Sequence, residues 1–202
     1  MLKIETLNQN HNRSKFDCGV DELNHYLKNI ARQHVNKGMS RTFVLIDIDT
    51  DDDDDKDKDK DKDTVKVNDK PPDNPPIKAA DKLSEILGFF TLAFCEIRVE
   101  KLPRAYAKKY PTSAPAAKLA RLAVARERQR QGLGTLMMVN AIERVISVSE
   151  NLGIMGFFVD AKNEDAKAYY GQFGFIPLPD NPLELFLPLS TLRHAYETFS
   201  RT

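Results

Sequence analysis

Apolar residues recur at two spacings along the chain, and the alternation between them predicts a mixed α/β protein. Val20, Leu23, Leu27, Ile30 and Ala31 keep a helical interval, which predicts a helix over 20–35 with Asp17 as a cap just upstream. The stretch 41–48 (RTFVLIDI) is β-branched and aromatic, hence a strand. A long strand is expected over 85–100 with a bend at Gly88, and another over 118–125 (KLARLAVA). Residues 101–116, with their Pro, Lys and Tyr, read as irregular. A helix follows over 132–151, its apolar face made by Leu133, Leu136, Met137, Ala141, Val145 and Val148, with Gly153 as a stop. Then come a buried-type strand over 154–160, a short helix over 163–171, and short strands over 173–176 and 183–189 around a Pro-rich turn. Ser190 is expected to cap a last helix with the stripe Leu192, Ala195, Tyr196 and Phe199. There is no internal repeat, so the order implies one α/β domain over 1–202 around a single sheet.

One segment breaks the pattern. Residues 49–81 contain DDDDDKDKDKDKD and a Pro-rich run, and offer too little apolar surface to offset the entropy of ordering; they read as a disordered loop inserted in a hairpin. The same segment changes the meaning of the charge. The chain is formally neutral, with 30 Lys+Arg and 30 Asp+Glu. Residues 47–63 hold eleven Asp against four Lys, a charge of −7, so the remaining 185 residues sum to +7. A mildly basic body suits a polyanionic partner such as RNA or a phosphate-bearing cofactor. The Asp run does not make a calcium loop, because an EF-hand frame begun at Asp51 puts Lys56 where Gly is required and Lys62 where the last carboxylate is required.

Other chemistries are excluded by what the sequence lacks. Cys18 and Cys95 form neither a disulfide framework nor a CxxC site, and read as packing residues. His11, His25, His34 and His194 are scattered without metal-ligand spacing, and no metal is expected. His25 and His34 fall on the first helix near its surface. No apolar run is long enough for a membrane helix, and the N-terminus lacks a signal-peptide pattern, so a cytoplasmic protein with reduced thiols is expected.

The candidate chemistry lies in 119–135, where an apolar strand enters a polar turn with two glycines and opens a long helix. The first N–H groups of a helix have no internal partner and point the same way, and the dipole adds partial positive charge. Gly132 and Gly134 let an anion approach the main chain, and Arg128 and Arg130 add charge. The turn is neither GxGxxG nor a P-loop; it fits Q/R-x-x-G-x-G/A as Gln129-x-x-Gly132-x-Gly134.

At this point the sequence resembles the GNAT N-acetyltransferases, and most closely the GNAT toxins of bacterial toxin–antitoxin modules. Val159-Asp160-Ala161-Lys162-Asn163 with Ala168-Tyr169-Tyr170-Gly171-Gln172-Phe173-Gly174-Phe175 is similar to the family's vdAkn…A…FYe.fGF segment. Phe16-Asp17-Cys18-Gly19 with Leu23-Asn24-His25-Tyr26-Leu27, Gly88-Phe89-Phe90-Thr91-Leu92, and 119–124 resemble toxin motifs in the same order. The likeness spans the chain except 49–81, where family members usually have a short hairpin. Ala125 stands where Asp is common, and Tyr169 where Phe is usual.

The resemblance implies a GNAT fold, a central mixed, twisted sheet with two splayed parallel strands flanked by helices. It implies acetyl-CoA as acyl donor and no metal. The main chain of Leu122, Ala123 and Val124 would pair with pantetheine amides, and a main-chain N–H of that strand would face the thioester oxygen. Gln129, Arg130, Gln131, Gly132, Leu133, Gly134 and Thr135 would hold the pyrophosphate, and Asn163 would bond the CoA chain. Tyr170 would be the general acid; an ordinary phenol of pKa about 10 is protonated at neutral pH and can protonate a thiolate of pKa about 8.5. Read without the resemblance, Tyr170 is better taken as a core aromatic capping the sheet. The expected function is acetylation of the α-amine of aminoacyl-tRNA, which blocks translation. Arg98, Lys101, Arg104, Lys108, Lys109, Lys118 and Arg121, in or next to the elements flanking the expected cleft, would neutralise RNA phosphates, or equally form a solvated basic surface. The expected partners are aminoacyl-tRNA and an antitoxin with a ribbon-helix-helix domain; a homodimer is a further assembly open to the chain, and no membrane partner is expected. Two alternatives stand beside this: a GNAT enzyme acting on a protein or small-molecule amine, and a non-catalytic acyl-CoA-binding or DNA-regulatory partner.

Overall fold

The computed structural model describes residues 1–48, 84–110 and 112–199; the Asp/Lys/Pro segment 49–81 lies outside the described residues. The strands are β1 (Leu2–Thr6), β2 (His11–Asn12), β3 (Ser40–Asp47), β4 (Ser84–Arg98), β5 (Ser113–Val124), β6 (Gly156–Asp160), β7 (Ile176–Pro177) and β8 (Glu184–Pro188). Seven of them follow the order β1-β3-β4-β5-β6-β8-β7, and β2 pairs with β4. Neighbours run antiparallel except at β5–β6 and β2–β4. The mixed sheet is therefore parallel at only one point along its main path. Ile46 pairs with Ile86, so β3 and β4 form the expected hairpin around 49–81.

Helices cover both faces. On one side α4 (Leu133–Asn151) packs on β4 and β5, and α6 (Leu189–Phe199) packs on α4, β6 and β8. The core on this side joins Phe90, Leu119, Met137, Ile142, Phe157, Tyr170 and Leu187. On the other face Tyr26, Leu27 and Ala31 bury themselves against Val44, Phe89 and Ala123. These three come from one helical run: α1 (Asp21–His25), a π-helical turn (Tyr26–Ile30) and α2 (Ala31–Asn36). A third cluster gathers Leu102, Ala116, Phe158 and Phe186 beside the short helix α3 (Arg104–Ala107). The remaining helix, α5 (Glu164–Gly171), follows β6.

Several expectations need correction. Asp17 does not cap the first helix; Val20 holds the N-cap position, and the Asp17 Oδ1 accepts from the Gly19 N–H and the Asn24 amide. Residues 101–116 are not irregular throughout, because β5 begins at Ser113. Its Ser-Ala-Pro-Ala-Ala start has poor strand propensity and is held by tertiary pairing with β4, while the Pro115 carbonyl accepts from the Met155 N–H. The buried stripe of α4 is Leu133, Met137, Met138, Ala141, Ile142 and Val145, whereas Leu136 (41% exposed) and Val148 (42%) sit outside it. The strand expected over 173–176 shrinks to Ile176–Pro177. Ser190 lies inside α6, which starts at Leu189. Strand β1 has little pattern of its own, since Leu2 is exposed and Ile4 is its one apolar residue packed against the core. The bend at Gly88 has a cause in the ladder: Leu45 pairs with Gly88 and Ile46 with Ile86, which leaves Leu87 as the extra residue of a bulge.

Candidate active site

Strands β5 and β6 share three register pairs, Ala117–Phe157, Lys118–Phe158 and Leu119–Val159, and then part. Strand β6 ends at Asp160, while β5 runs on to Val124. The parting coincides with a second bulge. Thr91 pairs with Arg121 and Leu92 with Leu119, so Ala120 is the extra residue and bends β5 as it leaves β6. Beyond it, the Leu122 and Val124 side chains pack against the α4 core and Ala123 packs on the opposite face. Their main chain pairs with β4 at Phe90, Phe89 and Gly88. The edge of Ala120–Val124 that faces away from β4 has no strand partner among the described residues. Main-chain groups in such a gap need partners, and an extended ligand carrying amides can supply them.

At the end of β5 the chain turns into α4, and the turn is made by backbone conformation. Arg130 (φ 61°) and Gly132 (φ 79°) are both left-handed, and Arg130 is the one non-glycine residue with positive φ among the described residues. Strain at a non-glycine residue of this kind is a mark of functional loops. Left- and right-handed residues in succession gather N–H groups into an anion-binding concavity. A Cβ at Gly132 would meet open space, so what it needs glycine for is φ alone. No side chain caps α4, whose first N–H groups are thus free to bind a ligand.

Long-range contacts hold this turn. Gln129 spends its side chain inward, with Nε2 donating to the Cys18 carbonyl at 3.0 Å and to the Val124 carbonyl at 3.1 Å. The Arg126 N–H donates to the Asp17 carbonyl at 2.8 Å, and the two side chains pair at 3.7 Å. Gln131 Nε2 donates to the Glu127 carbonyl, and Leu133 drops into the core. Gln129 is therefore a brace under the turn, while Arg130, Gln131, Gly132, Gly134 and Thr135 form the turn and the first helical residues above it. The bracing role of Asp17 and Arg126 has no local signal, because the partners lie more than a hundred residues apart in sequence.

Across the gap, Asn163 caps α5; it is extended (φ −161°), and its Oδ1 accepts from the Ala166 N–H at 2.9 Å. That leaves its Nδ2 as the group for a ligand. Tyr170, 9% exposed, packs edge-on to Tyr169 with ring centroids 5.2 Å apart, and its hydroxyl has no hydrogen-bond partner among the described residues. Burial, with the Asp160 carboxylate nearby, pushes the Tyr170 phenol up to about 12. The phenol stays protonated through the physiological range and is available as a donor. Lys118 pairs with Asp160 at 2.6 Å, an ion pair between the two parting strands. Tyr169 connects the two sides, since its hydroxyl lies 3.4 Å from where a Cβ on Gly134 would stand.

The other candidates are dispersed. Cys18 is buried, as expected, but Cys95 is only half-buried; burial pushes its thiol up to about 11, which disfavours a nucleophile. His25 is exposed and His34 half-buried, in line with their expected place near the surface. Among the described residues no group of His, Cys, Asp and Glu could hold a metal ion, and no helix is long and apolar enough to cross a membrane. Of the basic residues, Arg98 pairs with Glu100, Lys101 with Glu184 and Lys118 with Asp160, Arg121 lies over the Tyr26 ring at 3.6 Å, and Lys109 over Tyr106 at 5.8 Å. An apolar cavity of about 630 Å³, lined by Phe43, Leu92, Phe94, Val148 and Leu152 among others, lies at the far end of α4 from the turn and carries none of these groups.

The chain matches the model of the acetyltransferase (GNAT) family over residues 41–175. It is 32% identical over 108 residues to the tRNA-acetylating toxin of Mycobacterium tuberculosis, covering 54% of this chain and 65% of that protein, a little under two thirds of its length. It is 24% identical over 200 residues to the probable toxin TacT of Sinorhizobium fredii, covering 94% of this chain and 92% of that one. Three solved structures of one toxin are similar to it throughout. AtaT complexed with acetyl-methionyl-tRNAfMet gives a TM-score of 0.73 at 30% identity, covering 97% of this chain and 99% of that one. AtaTR bound with AcCoA gives 0.69 at 31%, covering 96% and 98%. A mutant AtaT bound to the C-terminus of the antitoxin AtaR gives 0.66 at 30%, covering 96% and 98%.

Proposed function

The chain belongs to the acetyltransferase (GNAT) family, and from that membership we propose that it transfers an acetyl group from acetyl-CoA to the α-amine of aminoacyl-tRNA. The observation that carries this reading is the gap between β5 and β6, with the anion-binding turn at its end and the buried phenol of Tyr170 on its other side. The residues fit an acyl-CoA. Arg130 to Thr135 offer N–H groups to the pyrophosphate, with Gln129 fixing the turn from below. The free edge of Leu122 to Val124 offers main-chain partners to the pantetheine amides, and the Asn163 amide offers another.

The bound donor supplies a thioester; the chain's residues do the rest. A β5 N–H in the gap stabilises the charge that develops on the thioester oxygen as the amine attacks. A new N–C bond forms, the C–S bond breaks, and Tyr170 gives its proton to the departing thiolate. The amine sheds a proton to solvent, and the phenol is reprotonated from solvent.

The acceptor rests on the likeness to the tRNA-acetylating toxin and to AtaT with acetyl-methionyl-tRNAfMet. An acetylated amine cannot attack in peptide transfer, so the product stalls translation. The structure of AtaT with the C-terminus of AtaR supports an antitoxin partner, and on the resemblance described above that antitoxin carries a ribbon-helix-helix domain. The site of action is the cytoplasm, where charged tRNA is made and used. The test is transfer of label from acetyl-CoA to a total charged-tRNA pool. Label on the α-amine of the esterified amino acid is the expected result. Label on protein or small amines, with none on tRNA, overturns the acceptor; no release of CoA thiol with any acceptor overturns the enzyme.

A further inference from the structure

The Tyr169 hydroxyl is the one side-chain polar atom among the described residues that is sealed from solvent and has no hydrogen-bond partner. Such an orphan costs free energy that a phenylalanine would not. Its place is specific. The ring is half-buried and wedged edge-on between Tyr170 and Phe173, at 5.2 and 5.3 Å. The oxygen is aimed at Gly134, in the first turn of α4, 3.4 Å from where a Cβ would stand. The same first turn carries the uncapped N–H groups of α4. Burial and the neighbouring Tyr170 push the phenol up, so it is always an O–H donor.

From this juxtaposition, and resting on the acyl-CoA reading above, we propose that Tyr169 is a positioning residue for the donor: its hydroxyl donates to an acceptor oxygen on the diphosphate–pantetheine arm seated over the first turn of α4. In the free chain the turn covers the hydroxyl. The bond forms as the turn adjusts around the ligand, and the unmet donor of the free state is satisfied in the bound one. The residue therefore lowers the stability of the free protein and raises affinity for the donor. Tyr170, its neighbour, serves the leaving thiolate and has no such duty in binding.

The test separates these two effects in Tyr169→Phe, which removes one oxygen and no packing. Thermal melting of the free variant is expected about 2–4 °C above wild type, as removal of an unsatisfied donor would give. Calorimetry with acetyl-CoA is expected to show about tenfold weaker binding, the scale of one charge-assisted hydrogen bond. The Tm increment from saturating acetyl-CoA shrinks accordingly. A higher free-state Tm with unchanged acetyl-CoA affinity overturns the proposal, since the hydroxyl is then only a packing defect. A lower free-state Tm also overturns it, since the hydroxyl then has a partner within the protein. Wild-type protein that does not bind acetyl-CoA at all defeats the reading of the whole site, a failure distinct from either.

Discussion

The two strand-to-helix junctions that face each other across the gap are built on different principles. The β5–α4 junction is main chain: left-handed Arg130 and Gly132, an uncapped helix start, and side chains such as Gln129 turned inward to brace it. The β6–α5 junction is side chain: an asparagine cap, an exposed carboxylate paired with Lys118, and two packed tyrosines on the helix. A surface of N–H groups can hold an anion but has no proton to give at neutral pH. A phenol can give one but holds a polyanion poorly. On the reading proposed above, anion binding and proton transfer fall to opposite walls, and substitutions should fail in different ways: in affinity at the Arg130–Thr135 turn and in turnover at Tyr170, with Tyr169 the one residue of the second wall whose loss is read in affinity.

The largest effect belongs to the chemical wall. Tyr170→Phe should keep the fold and acetyl-CoA affinity and lower turnover by about 10²–10⁴-fold, the usual cost of one general acid. The pH profile sharpens this. With the phenol raised to about 12, the wild-type rate should rise through the acceptor amine's pKa, near 8, and show no alkaline fall up to pH 10, because the acid form persists there. Steady-state rates across pH 6–10 measure both. Turnover within threefold of wild type would make Tyr170 a packing residue, and the division of labour would collapse.

The binding wall should respond more mildly and in the other parameter. Gly132→Glu forces a side chain into a left-handed position and sets a carboxylate where the pyrophosphate would lie. Acetyl-CoA affinity should fall at least tenfold, about 1.4 kcal/mol, by calorimetry. Because the Gly132 Cβ direction is open, the variant should remain folded. Unchanged affinity in a folded variant would remove the turn from the donor site.

The contrast between the walls also explains what the sequence could tell. The β5–α4 turn was legible because glycine spacing after an apolar strand is a local signal, and local backbone conformation is what the turn uses. The helix and strand cores were legible for the same reason, down to Leu192 and Ala195 of α6. Illegible features depend on partners distant in sequence. Ala and Pro at the start of β5 become strand because β4 and β6 lie beside them. Leu136 and Val148 carry the right spacing but sit at the margin of the α4 stripe, where tertiary packing decides. Gln129 reads as a ligand residue in the motif, yet its amide is spent on carbonyls of Cys18 and Val124. Tyr170 packs like any core aromatic, and the acid role proposed for it comes from the resemblance rather than from any local signal.

The smallest effect should come from replacing the connection 49–81, which lies outside the described residues. Strands β3 and β4 are closed by register from Ser40–Ala93 to Ile46–Ile86, on the side of the sheet where β1 pairs with β3. The connection 49–81 leaves this hairpin after that last pair, so a few Gly, Ser and Asn residues suffice to join the two strands. Its sequence has little apolar surface to bury, and its Asp excess, −7 over 47–63, opposes a polyanion. We propose it is an insertion on which neither fold nor donor binding depends. Replacing it should leave the Tm within a few degrees and acetyl-CoA affinity unchanged. Affinity for tRNA should rise, and rise most at low salt, because the repulsion removed is electrostatic and least screened there. Melting, calorimetry and a salt titration of tRNA binding measure the three. A replacement that fails to fold would show that the segment packs on the domain. One that folds and binds acetyl-CoA but no longer acetylates tRNA would make it a third functional region, positioning the acceptor where the two walls position the donor.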